Sequence, residues 1–189
     1  MKVAILHEGS DKKTADNELL KLLMKALHFN EEKVLFYGMG AKNNFFDVNN
    51  KNYALLKMHI RKQKVNKILL MVDADYKEKD EKYGGYKNTQ YWLNETIKNL
   101  NWESYSSLYI TCDPATKEGY LESFILSTIP EQQKNCIENF LACSEFKSKE
   151  NHKAILNQIY KIAYPKSPFD FSHQHFDELK QKLTKLFVK

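Results

Sequence analysis

The 189 residues, 42% hydrophobic and 28% charged, suffice for one domain with a buried core and have the composition of an ordinary soluble protein. No stretch has the length of a membrane span, and the opening MKVAILHEG turns polar too early for a secretory leader, so membrane and exported classes are not expected. The net charge of +5, nearly all lysine with Arg61 the only arginine, admits a polyanionic partner without requiring one. Three cysteines, Cys112, Cys136 and Cys143, lack a C-x-x-C spacing, which argues against a disulfide framework or a structural zinc and for a reducing cytoplasm.

Val3 to Leu6 reads as a strand that runs into a polar turn at His7-Glu8-Gly9. Thr14 offers an N-cap to a helix whose Leu19, Leu20, Leu22, Leu23, Ala26 and Leu27 recur at helical spacing. A second strand is expected at Val34 to Tyr37, followed by a Gly38-Met39-Gly40 loop and a helix over Tyr53 to Lys64. The third strand is the strongest signal in the chain: Ile68 to Val72 is apolar without a break, as suits a central strand covered on both faces, and Asp73 and Asp75 follow it. The charged stretch YKEKDEKYGGY then predicts a mobile loop over the strand ends.

Gln90 to Leu100 is helical by period, Ser107 to Thr111 forms a fourth strand ended by Asp113-Pro114, and SFILSTI forms an apolar helix halted before Pro130. Strands alternating with helices at this interval predict an α/β core of about four mainly parallel strands over residues 1–130. Residues 131–189 read as a helical C-terminal extension packed on that core, with helices over Glu131 to Ser144, Lys149 to Tyr164 and His173 to Phe187. No internal repeat or linker marks a second independent domain.

In a parallel sheet the strand ends share one edge, so Glu8, Asp73, Asp75 and Asp113, with Glu122 in the helix after, are expected to meet there although they are scattered over more than a hundred residues. Crowded carboxylates repel and raise one another's pKa unless a cation neutralises them, and hard oxygen donors of this kind suit Mg²⁺ or Mn²⁺. The natural chemistry is phosphoryl transfer or phosphodiester hydrolysis. The plainer alternative is that Asp75 starts a turn and Asp73 caps it.

The segments VAILHEG, LLMVDADY and LYITCDPATKEGYLESFIL together resemble the TOPRIM fold shared by primases, topoisomerases and OLD-family nucleases, and most closely small prokaryotic proteins related to OLD. The resemblance covers most of residues 1–130. It implies a Rossmann-like sheet, Glu8 as general acid or base and metal ligand, Asp73 and Asp75 as metal ligands, and Glu122 completing a second metal position with Asp113 nearby. It further implies a Mg²⁺-dependent nuclease acting on DNA or RNA phosphodiesters. The related families place an aspartate four residues after the glutamate, where this chain has Lys12, with Asp11 one residue early. The ATPase portion of OLD proteins is absent, so a protein partner such as an ATPase, a homodimer, or a non-catalytic regulatory subunit retaining the fold are the alternatives; a D-x-D phosphatase is a further one, although there the motif follows the first strand.

Lys12, Lys82 and Lys87 are the candidate nucleic-acid contacts, with Tyr83, Tyr86, Tyr91 and Trp92 able either to stack on bases or to pin the loop to the sheet. His7, at the end of a buried strand, is expected to be packed and hydrogen-bonded rather than a ligand. His173 and His175 have a ligand-like gap but no supporting Cys or acid cluster. No G-x-x-x-x-G-K-[ST] or G-x-G-x-x-G is present, which removes the usual nucleotide cradles.

Overall fold

Strands at Lys2–His7 (β1), Val34–Gly38 (β2), Val65–Asp73 (β3) and Ser106–Thr111 (β4) form one sheet in the order β2-β1-β3-β4. Every neighbouring pair is parallel. The computed structural model describes residues 2–10, 14–143, 155–156, 158–159 and 169–187. Lys12 and nearly all of the helix expected over Lys149 to Tyr164 lie outside them.

Helices at Ala15–Ala26 (α1), Lys51–Arg61 (α2), Tyr86–Leu100 (α3), Leu121–Leu126 (α4), Glu131–Cys143 (α5) and Asp177–Phe187 (α6) flank the sheet, so the protein is α/β with helices on both faces. Successive side chains of a strand point to opposite faces, and the core divides accordingly. Val3, Ile5, Leu69 and Met71 meet Leu19, Leu20 and Leu23 of α1, Phe124 of α4, and Leu179 and Leu183 of α6. On the other face Ala4, Leu6, Ile68, Leu70 and Val72 meet Tyr53 and Leu56 of α2 and Leu93 and Ile97 of α3. The unbroken apolar run of β3 is thus explained by its place between β1 and β4, closed to water on both sides.

Several boundaries differ from the sequence reading. Asn50 caps α2 through a 2.9 Å bond from the Asn52 N–H, so that helix starts and ends earlier than expected. Gly85, at φ +79°, opens α3 four residues before Gln90, because a residue that adopts left-handed backbone lets the chain turn directly off the strand ends. The SFILSTI helix is short, α4 ending at Leu126, with Thr128 Oγ1 donating to the Ile125 carbonyl at 2.7 Å in the turn beyond it. The last helix begins at Asp177 after a 3-10 turn over Gln174–Phe176. That helix is more than an appendage: Phe176, Leu179 and Leu183 are fully buried beside α1 and complete one face of the core. Among the described residues no helix is long and apolar enough to cross a membrane.

Candidate metal and acid-base site

Parallel pairing sets His7 opposite both Gly38 and Met71, and Asp73 opposite Thr111, so the four strands end along one edge. Glu8 leaves β1 there and reaches across to β3, where its Oε1 accepts the Asp73 backbone N–H at 2.8 Å, a link between residues 65 apart in the chain. The Asp73 side chain is buried at that strand end. Glu8 is therefore tied to the backbone of Asp73 at one edge of the sheet, as the edge argument requires.

Asp75 follows in left-handed backbone, φ 57°, a conformation that aspartate tolerates better than most residues. It is bonded both ways to Gly119, its N–H to the Gly119 carbonyl at 2.7 Å and the Gly119 N–H to its own carbonyl at 3.1 Å. This bridge ties the loop before α4 to the end of β3; Glu122 is buried in the first turn of α4. Gly119 is required there: at φ +93° a Cβ would collide with the Ser123 hydroxyl.

A lysine that sequence reasoning did not single out completes the group. Lys42, in a 3-10 turn over Lys42–Phe45, is buried, donates from Nζ to the Ala74 carbonyl at 2.6 Å, and lies 3.4 Å from Asp75 Oδ2. The same carbonyl accepts Gly85 N–H at 2.9 Å and Thr89 Oγ1 at 3.3 Å, so the Lys42 turn and the start of α3 are both anchored on the residue between the two aspartates.

Burial pushes the Glu8 carboxyl up to about 7, with the negative charges of Asp75 and Asp16 adding to it and the Asp73 N–H and Lys42 opposing. A carboxyl poised near neutrality can exchange a proton at working pH, which an exposed glutamate does poorly.

Asp113 is directed elsewhere. Its Oδ1 accepts the Ala115 N–H at 2.8 Å and its Oδ2 lies 3.6 Å from Lys134 Nζ of α5, so it closes a turn and pairs with a cation in a cavity of about 380 Å³ that Tyr76, Tyr120 and Ser123 also line. His7 is wholly buried and donates from Nδ1 to the Glu8 carbonyl at 2.7 Å, the packed histidine expected. His173 accepts the His175 N–H on Nδ1 at 3.2 Å, and His175 Nδ1 is 3.0 Å from Ser127 Oγ, so this pair serves a helix start.

The charged loop after β3 is tied down, contrary to the mobile loop expected. Asp80 Oδ1 accepts the Lys82 and Tyr83 N–H groups at 3.1 and 3.0 Å, and Trp92 Nε1 and Thr89 Oγ1 bond to the Lys82 and Tyr83 carbonyls at 3.1 and 2.8 Å. Tyr83 stacks on Phe46 at 4.4 Å and meets Trp92 edge-on at 5.5 Å, while Lys82 Nζ lies 4.7 and 4.9 Å from those two ring centres. These rings pin the loop; Tyr91 alone of the four stays largely exposed. Lys87 lines a cavity of about 510 Å³ with Lys77 and Lys117, beside the start of α3. Each of these three lysines is exposed, with Glu118 the one carboxylate in the lining.

The donor chemistry suits a hard divalent cation. Glu8 and Asp73 offer carboxylate oxygens from adjacent strands, and Mg²⁺ binds through one or two carboxylates while keeping its waters. Among the described residues no group of three or more Asp, Glu, His or Cys side chains could hold a metal ion.

No family pattern, no characterised protein and no solved structure matches this chain.

Proposed function

We propose that the protein is a Mg²⁺- or Mn²⁺-dependent enzyme that hydrolyses nucleic-acid phosphodiesters, on a TOPRIM-like sheet. The observation that carries the proposal is the reach of the Glu8 carboxylate across the sheet to the Asp73 backbone N–H, which fixes it at the strand end that bears Asp73. Asp73 and Glu8 would hold the cation, with Glu122 supporting the edge from α4. Bound there, the cation would supply stabilisation of negative charge on phosphate oxygens and a water of lowered pKa. Without metal, burial holds Glu8 near neutrality; a bound cation would favour its ionised form, the state able to take up the proton of an attacking water. Lys77, Lys87 and Lys117 face the strand of the substrate as exposed cations, and Tyr91 offers a ring to an unpaired base.

The test is cleavage of supercoiled plasmid and of single-stranded DNA and RNA by purified protein with Mg²⁺, native against Asp73→Asn. Loss of at least about 100-fold in the variant is expected, the size of losses from removing one charge-stabilising group. Equal cleavage by both proteins would overturn the assignment. A second reading, a non-catalytic nucleic-acid-binding subunit, is favoured by the engagement of Asp75 with Lys42 and of Asp113 with Lys134. It predicts metal binding without turnover by native protein.

A further inference from the structure

We propose that the three-lysine cavity beside α3 receives the terminal phosphate of a nucleic-acid strand, a phosphomonoester rather than an internal phosphodiester. This rests on the nucleic-acid reading above and gives it a substrate class, strands that carry a phosphate at their end.

Three segments build the cavity of about 510 Å³: the loop after β3 brings Lys77, the first turn of α3 brings Lys87, and the loop after β4 brings Lys117. Its walls are fixed by close packing and backbone bonds. A Cβ on Gly84 would lie 2.7 Å from the Tyr76 carbonyl oxygen and 3.0 Å from the Lys77 Cα, so only glycine lets the Lys77 backbone lie this close to the approach to α3. Lys117 sits in left-handed backbone, φ 59°, with its N–H bonded to the Asp113 carbonyl at 2.9 Å and its carbonyl accepting the Tyr86 N–H at 3.0 Å. The loop after β4 is thereby bonded to the first residue of α3.

Elsewhere buried or half-buried lysines are matched with acids, Lys42 with Asp75 and Lys134 with Asp113. Among the described residues Lys77, Lys87 and Lys117 form no ion pair. Glu118 is the one carboxylate in the lining, which leaves two positive charges in excess. Like charges brought together from separate segments repel, and an anion among them removes that cost. An internal phosphodiester carries one negative charge, whereas a phosphomonoester carries nearly two at neutral pH and presents three strong acceptor oxygens. The excess charge and the three ammonium groups match the chain end. The lysines define the site, and the start of α3, which no side chain caps, only adds to the field. Gly85 in the wall donates its N–H to the Ala74 carbonyl at 2.9 Å, between Asp73 and Asp75, so a strand gripped by its end passes the tip of β3 with its first linkages.

The test is fluorescence anisotropy in EDTA, where nothing is cleaved, with one internally labelled single-stranded DNA ending in a 5′-phosphate, a 3′-phosphate or hydroxyls only. Native protein should bind one of the phosphate-ended strands at least about tenfold more tightly than the hydroxyl-ended strand, the size of one charge-assisted hydrogen bond. Lys77→Gln combined with Lys117→Gln should abolish that preference, and Glu118→Gln, which removes the opposing charge, should widen it. Equal binding of all three strands by native protein would overturn the proposal while leaving the nucleic-acid reading intact. A preference that survives in the double variant would overturn it too, by placing the phosphate elsewhere. A nucleoside monophosphate that displaces the phosphate-ended strand at equal concentration would make a free nucleotide the ligand and overturn the chain end. No strand bound by native protein would remove both readings.

Discussion

Replacing Glu8 by glutamine should stabilise the protein at alkaline pH and leave it nearly unchanged at acid pH. The carboxyl has an ordinary value of 4.5 in the unfolded chain and is raised to about 7 in the folded one, mainly by burial. A folded pKa above the unfolded one means that the native state holds a proton the unfolded state has released. The resulting stability is fully present below about pH 4.5 and is lost as pH rises through about 7. At 1.36 kcal/mol per pKa unit the whole loss is about 3 kcal/mol, an upper figure because Glu8 keeps some contact with solvent. Glutamine retains an oxygen for the Asp73 N–H but carries no charge, so Glu8→Gln should match native protein near pH 4 and exceed it by up to about 3 kcal/mol near pH 8. Urea unfolding followed by circular dichroism across that range measures the difference. Saturating Mg²⁺ should shrink the gap at high pH, because it binds the ionised glutamate of the native protein. A difference that does not change with pH, or one that favours native protein as pH rises, would refute the reasoning.

Gly119→Ala should cost about 2 kcal/mol from backbone strain alone, before the collision with Ser123 is added, and thermal melting reads it. Unchanged stability would mean that the Asp75–Gly119 bridge is not held as described. Leu183→Ala should cost about 2–5 kcal/mol in urea unfolding, because the side chain is wholly buried against the sheet; a loss below about 1 kcal/mol would make α6 the loose appendage it is argued not to be. Lys87→Gln should weaken binding of a single-stranded oligonucleotide and reduce the slope of log affinity against log salt by about 1, whereas Lys82→Gln, whose ammonium already lies on two rings, should change the slope less. An unaltered slope in Lys87→Gln places the substrate elsewhere.

What the sequence made legible follows from which signals are local. The run from Ile68 to Val72 needs no partner to announce a buried strand, and parallel topology then forces Glu8 and Asp73 to one edge. Direction at that edge is a different matter. Asp113 arrives just past β4 where a site acid should be, but its Asp-Pro turn aims it at Lys134, on a helix that chain spacing does not locate. Lys42 was hidden for the opposite reason: in the polar segment AKNNF a lysine is expected in water, and its burial depends on the β2–α2 connection folding over the tip of β3. The charged loop after Asp75 misled in the same way, because the bonds that fix it run to Trp92 and Thr89 on the next helix. The apolar face of the last helix was readable from Phe176, Leu179, Leu183 and Leu186, whereas its insertion beside α1 was not.

The most direct measurement is an anomalous difference map from crystals grown with Mn²⁺. The account predicts a manganese peak at the tip of β3, within about 2.2 Å of a carboxylate oxygen of Glu8 or Asp73. A saturated crystal with its manganese at Asp113, or with none at the tip of β3, would contradict it.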